Sequence, residues 1–127
     1  MKNVFISFDY DHDSDLKVLL VGQSKNGDSP FNISDKSVKQ ELTGDWKAKV
    51  LTRIKSVDLV VVICGEYTAN ASGVNAEVKM AQEAGKPYFL LYGRATKQCK
   101  KPNSAKSSDK IYKWEWPVLK KLIGGAR

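Results

Sequence analysis

The stretch "DLVVVIC" (residues 58–64) constrains the fold more than any other part of the chain. After Asp58, every position from Leu59 to Cys64 is apolar. A strand with one wet face alternates polar and apolar residues. A strand that is apolar throughout is covered on both faces, as in a parallel sheet with helices above and below. "NVFISF" (3–8) and "PYFLLYG" (87–93) are further buried strands, rich in β-formers and bounded by turn residues. "GDSPFNIS" supplies a turn and a short strand, which Pro30 places at a sheet edge.

Helical periods lie between these strands. "DHDSDLKVLLVGQSK" predicts a helix capped by Asp13 or Ser14, with Leu16, Leu19 and Leu20 inward. "TGDWKAKVLTRIKSVD" predicts a second, with Trp46, Val50, Ile54 and Val57 on one stripe. "SGVNAEVKMAQEAGKP" (72–87) predicts a third on Val74, Val78, Ala81 and Ala84, closed by a glycine and a proline. "IYKWEWPVLKKLIGG" gives a short extended piece and a last helix with Pro117 near its first turn. Strands alternating with helices predict an α/β fold, a single flavodoxin-like three-layer domain over residues 1–127. Its sheet is expected to be parallel and four- to five-stranded, in the order 2-1-3-4-5. The 127 residues suffice for one core and are too few for two.

No apolar run approaches the roughly 20 residues needed to span a bilayer, so no membrane contact is expected. A strand from residue 4 leaves no room for a cleavable signal, and the cytoplasm is the expected compartment. Cys64 and Cys99 lack CxxC spacing and make neither a disulfide framework nor a metal site. Charge is unevenly placed: residues 1–93 carry 11 Lys+Arg against 12 Asp+Glu, and residues 94–127 carry 10 against 2. The excess belongs to the C-terminal segment, especially the polar loop 94–110. Such a loop attracts phosphate, nucleic acid or an acidic partner, or simply keeps a small domain in solution. The solvated reading is preferred, and nucleic acid is not expected as a partner.

In a sheet of this order ligands bind beyond the carboxyl ends of the strands, where the first and third strands diverge. Two segments reach that place, "FDYDHD" and "GEYTANASGVNAE". In the second, Glu77 occupies the i+3 slot of the helical stripe, where a small apolar residue belongs. An inward carboxylate there is a candidate catalytic group; the alternative is a half-exposed acid favoured by the helix dipole. Ser7, Phe8 and Asp9 lie on the first strand's exit and, taken by themselves, read as capping the strand end. Phe8 or Tyr10 stacks on a base or joins the core. Ser72 touches substrate or caps the helix, and Asn75 reaches a hydroxyl or a diphosphate. Trp46 opens a stripe and reads as packing. His12 lies among four aspartates in "DYDHDSD", which reads as a solvated capping run, and no metal is expected. The fingerprints GxGxxG, GxxxxGK[ST] and GxSxG are absent, and the third strand ends in Cys64-Gly65 without a phosphoacceptor Asp.

"VFISFDYDHD" resembles the opening of Toll/interleukin-1 receptor (TIR) domains, especially the TIR-like branch of bacterial Thoeris antiphage systems. "DWKAKVLTRIKSVDLVVVICGEYTANASGVNAEVKMAQEAGKPYFLLYG" is similar to the matching second half. It has a Trp-led helix, I-x-S-x-D into a buried strand, Y-T-x-x-S-x-x-V-x-x-E, and GKP into the next strand. "IYKWEWPVLKKLI" is similar to the ending of that branch. The likeness covers nearly the whole chain. It differs from animal TIR domains in a very short second-strand region, where those carry a long interaction loop. The resemblance implies an enzyme that cleaves NAD, releases nicotinamide and makes a cyclic ADP-ribose type messenger for a separate effector protein. It implies Glu77 as the catalytic glutamate, Ser7 to Asp9 at the pocket edge, NAD as substrate with no cofactor, and self-association or assembly with another TIR-like chain. Two other functions stay open: a non-enzymatic TIR-like or receiver-like interaction module, and a nucleoside N-glycosidase or deoxyribosyltransferase, whose chemistry also uses a glutamate.

Overall fold

The computed structural model describes residues 1–33 and 45–127. Ser34, at the end of the predicted edge strand, and Thr43 and Gly44, at the start of the predicted second helix, lie outside the described residues. Five strands form one all-parallel sheet: β1 (Lys2–Ser7), β2 (Phe31–Ile33), β3 (Leu59–Cys64), β4 (Tyr88–Tyr92) and β5 (Ile111–Lys113). Their order is β2-β1-β3-β4-β5, the flavodoxin-like order, with β2 and β5 at the edges. The helices are α1 (Ser14–Ser24), α2 (Trp46–Ser56), α3 (Ser72–Glu83) and α4 (Trp116–Ile123).

The pleat explains the apolar runs. Val4, Ile6, Leu59, Val61 and Ile63 pack on one face with Leu16 and Leu20 of α1 and with Leu119 and Leu122 of α4. Phe5, Val60 and Val62 pack on the other with Val50 and Ile54 of α2 and with Val74 and Val78 of α3. All six residues of β3 are buried, because helices cover it on both sides. Each such side chain contributes about 1.5–3 kcal/mol by leaving water. Ser7 follows Phe5 by two residues, so its side chain points toward α3.

The α1 stripe differs from expectation. Leu16 and Leu20 are buried, but Leu19 is 59 % exposed and Val18 beside it also faces water. The inward line begins at the buried Asp13 and continues through Leu16 and Leu20, at i, i+3 and i+7. That rotation leaves Leu19, about 100° from Leu20, outside. α3 ends where the glycine-proline signal places it. Gly85 has φ +67, and the backbone N–H of Lys86 donates to the Ala81 carbonyl at 2.9 Å, closing the last turn.

The basic loop 94–110 takes the place of a crossover helix between β4 and β5. Its lysines at 97, 100, 106 and 110 are exposed, yet Cys99 and Pro102 are buried. Its backbone is tied inward, Lys100 N–H to the Gly65 carbonyl at 3.0 Å and Asn103 N–H to the Ala69 carbonyl at 3.1 Å. Packing, in addition to solvation, therefore shapes this segment. Among the described residues no helix is long and apolar enough to cross a membrane.

Candidate active site

A cavity of about 570 Å³ opens between the exits of β1 and β3, within the size range of small-molecule sites. Phe8, Asp9 and Tyr10 leave β1 along one wall, and Glu66 and Tyr67 leave β3 along another. Ser72, Gly73, Val74 and Glu77 bring in the start of α3, and Trp46 the start of α2. The turn after β3 is fixed by Gly65 N–H, which donates to Thr68 Oγ1 at 2.7 Å.

Glu77 is the unusual group. It is only 8 % exposed, next to Val74 and Val78 in the stripe, and yet it reaches the cavity. Ser7, buried on the same side of the sheet, donates its hydroxyl to Glu77 Oε1 at 2.7 Å. Burial pushes the Glu77 carboxyl up to about 8, against the smaller downward pull of the Ser7 hydrogen bond. Near neutral pH it is therefore mostly a neutral acid. A cation placed against it favours the ionised form. Replacing Ser7 by Ala removes the hydrogen bond that favours the carboxylate. The Glu77 titration, followed by carboxyl-carbon NMR, is expected to move further up; an unmoved titration would show that the hydroxyl does not tune it.

Around this floor the other candidate residues separate. Asp9 is nearly buried and accepts from Asp11 N–H at 3.1 Å and from His12 Nδ1 at 2.8 Å. Phe8 belongs to the core beneath α1 while also touching the cavity, and its ring lies 4.6 Å from that of the half-buried Tyr10. Trp46 packs with the α2 stripe and also lines the cavity. Ser72 lines it too, but the N-cap position belongs to Ala71 and α3 begins at Ser72, which corrects the capping reading. Asn75 does not line the cavity. Its Nδ2 donates to the Ala69 and Ala71 carbonyls, both at 3.0 Å, and its Oδ1 accepts from Ser104 N–H at 2.7 Å. The Asn75 amide thus staples α3 to loop 94–110.

Three features escaped sequence reasoning. His12 stacks on Tyr67, rings 4.2 Å apart, so two loops distant in sequence close one rim of the cavity. Lys100 reaches the same cavity from the basic loop. Arg94, just past the end of β4, grips the β1–α1 connection, donating to the His12 carbonyl at 2.9 Å, to Asp15 at 2.8 Å and to Asp13 at 3.2 Å. Its position at a strand's carboxyl end was the available signal. Asp13 is 1 % exposed; burial raises its carboxyl, opposed by the Arg94 hydrogen bond and charge. It sits so close to β3's exit that a Cβ at Gly65 would lie 2.7 Å from Asp13 Cγ, which requires glycine there.

Arg94→Ala leaves Asp13 buried without its cation and is expected to cost about 2 kcal/mol in chemical denaturation, reduced by proton uptake on Asp13. Adding Asp13→Asn should recover part of the loss; an unchanged midpoint in the single variant would show the clamp to be idle.

Burial pushes the Cys64 thiol up to about 12, so it is no nucleophile. Among the described residues no group of three or more His, Cys, Asp or Glu side chains is placed to hold a metal ion.

An all-parallel 2-1-3-4-5 sheet with a buried glutamate on the helix after its third strand has the architecture of a TIR-like domain. The family model of the Thoeris protein ThsB, TIR-like domain, matches residues 5–98, and the chain belongs to this family of antiphage defence proteins. No curated protein matches it.

Proposed function

We propose that the protein cleaves NAD between ribose and nicotinamide and makes a cyclic ADP-ribose type nucleotide that signals to a separate effector. The observation that carries this reading is Glu77, buried at the floor of a cavity and held by Ser7. Breaking the C1′–N bond leaves both electrons on the nicotinamide nitrogen, so the pyridinium departs neutral and needs no proton. Positive charge develops on the ribosyl C1′ and ring oxygen. An ionised Glu77 in a low-dielectric site stabilises that charge and holds the ribose hydroxyls. Before the bond breaks, the cationic nicotinamide ring favours the carboxylate over the acid. Capture of the sugar by a nucleophile of the same molecule closes a cycle, while capture by water gives linear ADP-ribose. Assembly with further TIR-like chains would act by ordering this site.

The test is mass-spectrometric. Concentrated protein is incubated with NAD, alone and in extract of phage-infected cells, and followed for nicotinamide and both forms of ADP-ribose. Nicotinamide release with a cyclic second product is the expected result. No release in either setting would sink the reading and favour an interaction module. Turnover of deoxynucleosides in place of NAD would favour the N-glycosidase.

A further inference from the structure

The cavity changes character from floor to mouth. Glu77 and Trp46 are buried, whereas His12 and Lys100 are exposed and Tyr67 is 58 % exposed. Three distant parts of the chain meet at the mouth. The His12–Tyr67 ring pair closes one rim, and the Lys100 N–H on the Gly65 carbonyl sets that lysine beside the turn carrying Tyr67. Lys101, next in sequence, turns the other way, its Nζ donating to the carbonyls of Lys106, Ser107 and Asp109 at 3.4, 3.3 and 3.0 Å. Lys100 is left on the cavity wall, and among the described residues no carboxylate pairs with it.

The wall is otherwise acidic. Asp9, Asp11 and Glu66 line it beside the largely protonated Glu77, so a phosphate entering without a cation would meet repulsion. We propose that Lys100 is the specificity-determining contact for the diphosphate of a dinucleotide whose ribosyl end lies on Glu77. An ammonium on a flexible stem suits this role, since it meets phosphate oxygens as a point charge with three donors. The assignment rests on the NAD-cleaving reading and adds a residue to it. It also gives the basic loop a use beyond solubility: one of its lysines supplies the charge that the acidic strand exits lack.

The test is calorimetric titration of the full chain with NAD and with nicotinamide riboside, which keeps the reactive end and lacks the phosphates. Wild type, Lys100→Ala and Lys97→Ala are compared; Lys97 is an exposed lysine of the same loop that does not line the cavity. The preference for NAD over the riboside is expected to fall about five- to tenfold in Lys100→Ala and to stay unchanged in Lys97→Ala. An unchanged preference in Lys100→Ala overturns the assignment, and so does an equal fall in both variants, which would be an effect of net charge. Wild-type protein that binds neither ligand overturns the NAD-cleaving reading itself. Binding of both ligands with no loss in Lys100→Ala overturns only the assignment of Lys100.

Discussion

Glu77→Gln is expected to lower nicotinamide release from NAD by about a hundred- to a thousandfold while leaving the fold intact. The magnitude is that of removing one preorganised group from the place where charge develops. Glutamine has nearly the shape of glutamate and keeps an oxygen that can accept the Ser7 hydroxyl, so the packing between β1 and α3 need not change. What disappears is the ability to become negative beside the ribosyl cation. The larger part of the loss belongs to the transition state and should fall on kcat, with a smaller rise in KM because the carboxylate also faces the cationic ring and the ribose hydroxyls of bound NAD. Quantified nicotinamide release from both proteins, alongside far-ultraviolet circular dichroism, makes the measurement. Equal turnover by a well-folded Glu77→Gln protein would remove the carboxylate from the chemistry and return Glu77 to an ordinary buried acid.

How visible this site was in the sequence depends on the distance over which each contact is made. β3 could be read directly, because a strand covered on both faces has to be apolar at every position, and Leu59 to Cys64 are. The α2 stripe of Trp46, Val50 and Ile54 was equally legible, since a helix that buries one face repeats along its own chain. Glu77 announced itself by breaking such a repeat. The α1 stripe misled because local spacing alone did not fix the helix's rotation. Asp13, drawn inward toward Arg94 at the exit of β4, two strands from β1, occupies the inner line and turns Leu19 to water. The Asn75 contact was not legible either, since its amide oxygen accepts from Ser104, 29 residues away. The His12–Tyr67 stack and the approach of Lys100 have no local signature, since they exist only after three strand exits have been brought to one edge. The topology predicted which edge would matter, but not which side chains would face one another there.

One carboxyl should set two opposite pH profiles, and this is the second large effect. Burial raises Glu77 from 4.5 to about 8 in the folded protein, while in the unfolded chain it titrates near its ordinary value. Between those two values the folded state holds a proton that the unfolded state has lost, so stability falls as pH rises. The full slope for one proton is about 1.4 kcal/mol per pH unit, and this contribution levels off above the folded value. Asp13 is also raised by burial and adds to the same trend, so the comparison must be made against Glu77→Gln, which retains Asp13. Denaturant midpoints from pH 5 to 9 should drop more steeply in wild type than in the variant, and at pH 8 the variant should be the more stable protein. Catalysis should run the other way. The free enzyme must ionise Glu77 to stabilise the ribosyl cation, so kcat/KM is expected to rise up to tenfold per unit toward pH 8 and then level. The profile of kcat should level at lower pH, because bound NAD places a cation near the carboxyl. Parallel slopes in wild type and Glu77→Gln stability would mean that the carboxyl ionises freely in the folded state. Falling stability with a flat kcat/KM profile would mean that it titrates as the structure requires without serving the reaction. Opposite slopes, with one substitution removing the catalytic rise and flattening the stability fall to the share left by Asp13, would tie the instability of this buried acid to the reaction it performs.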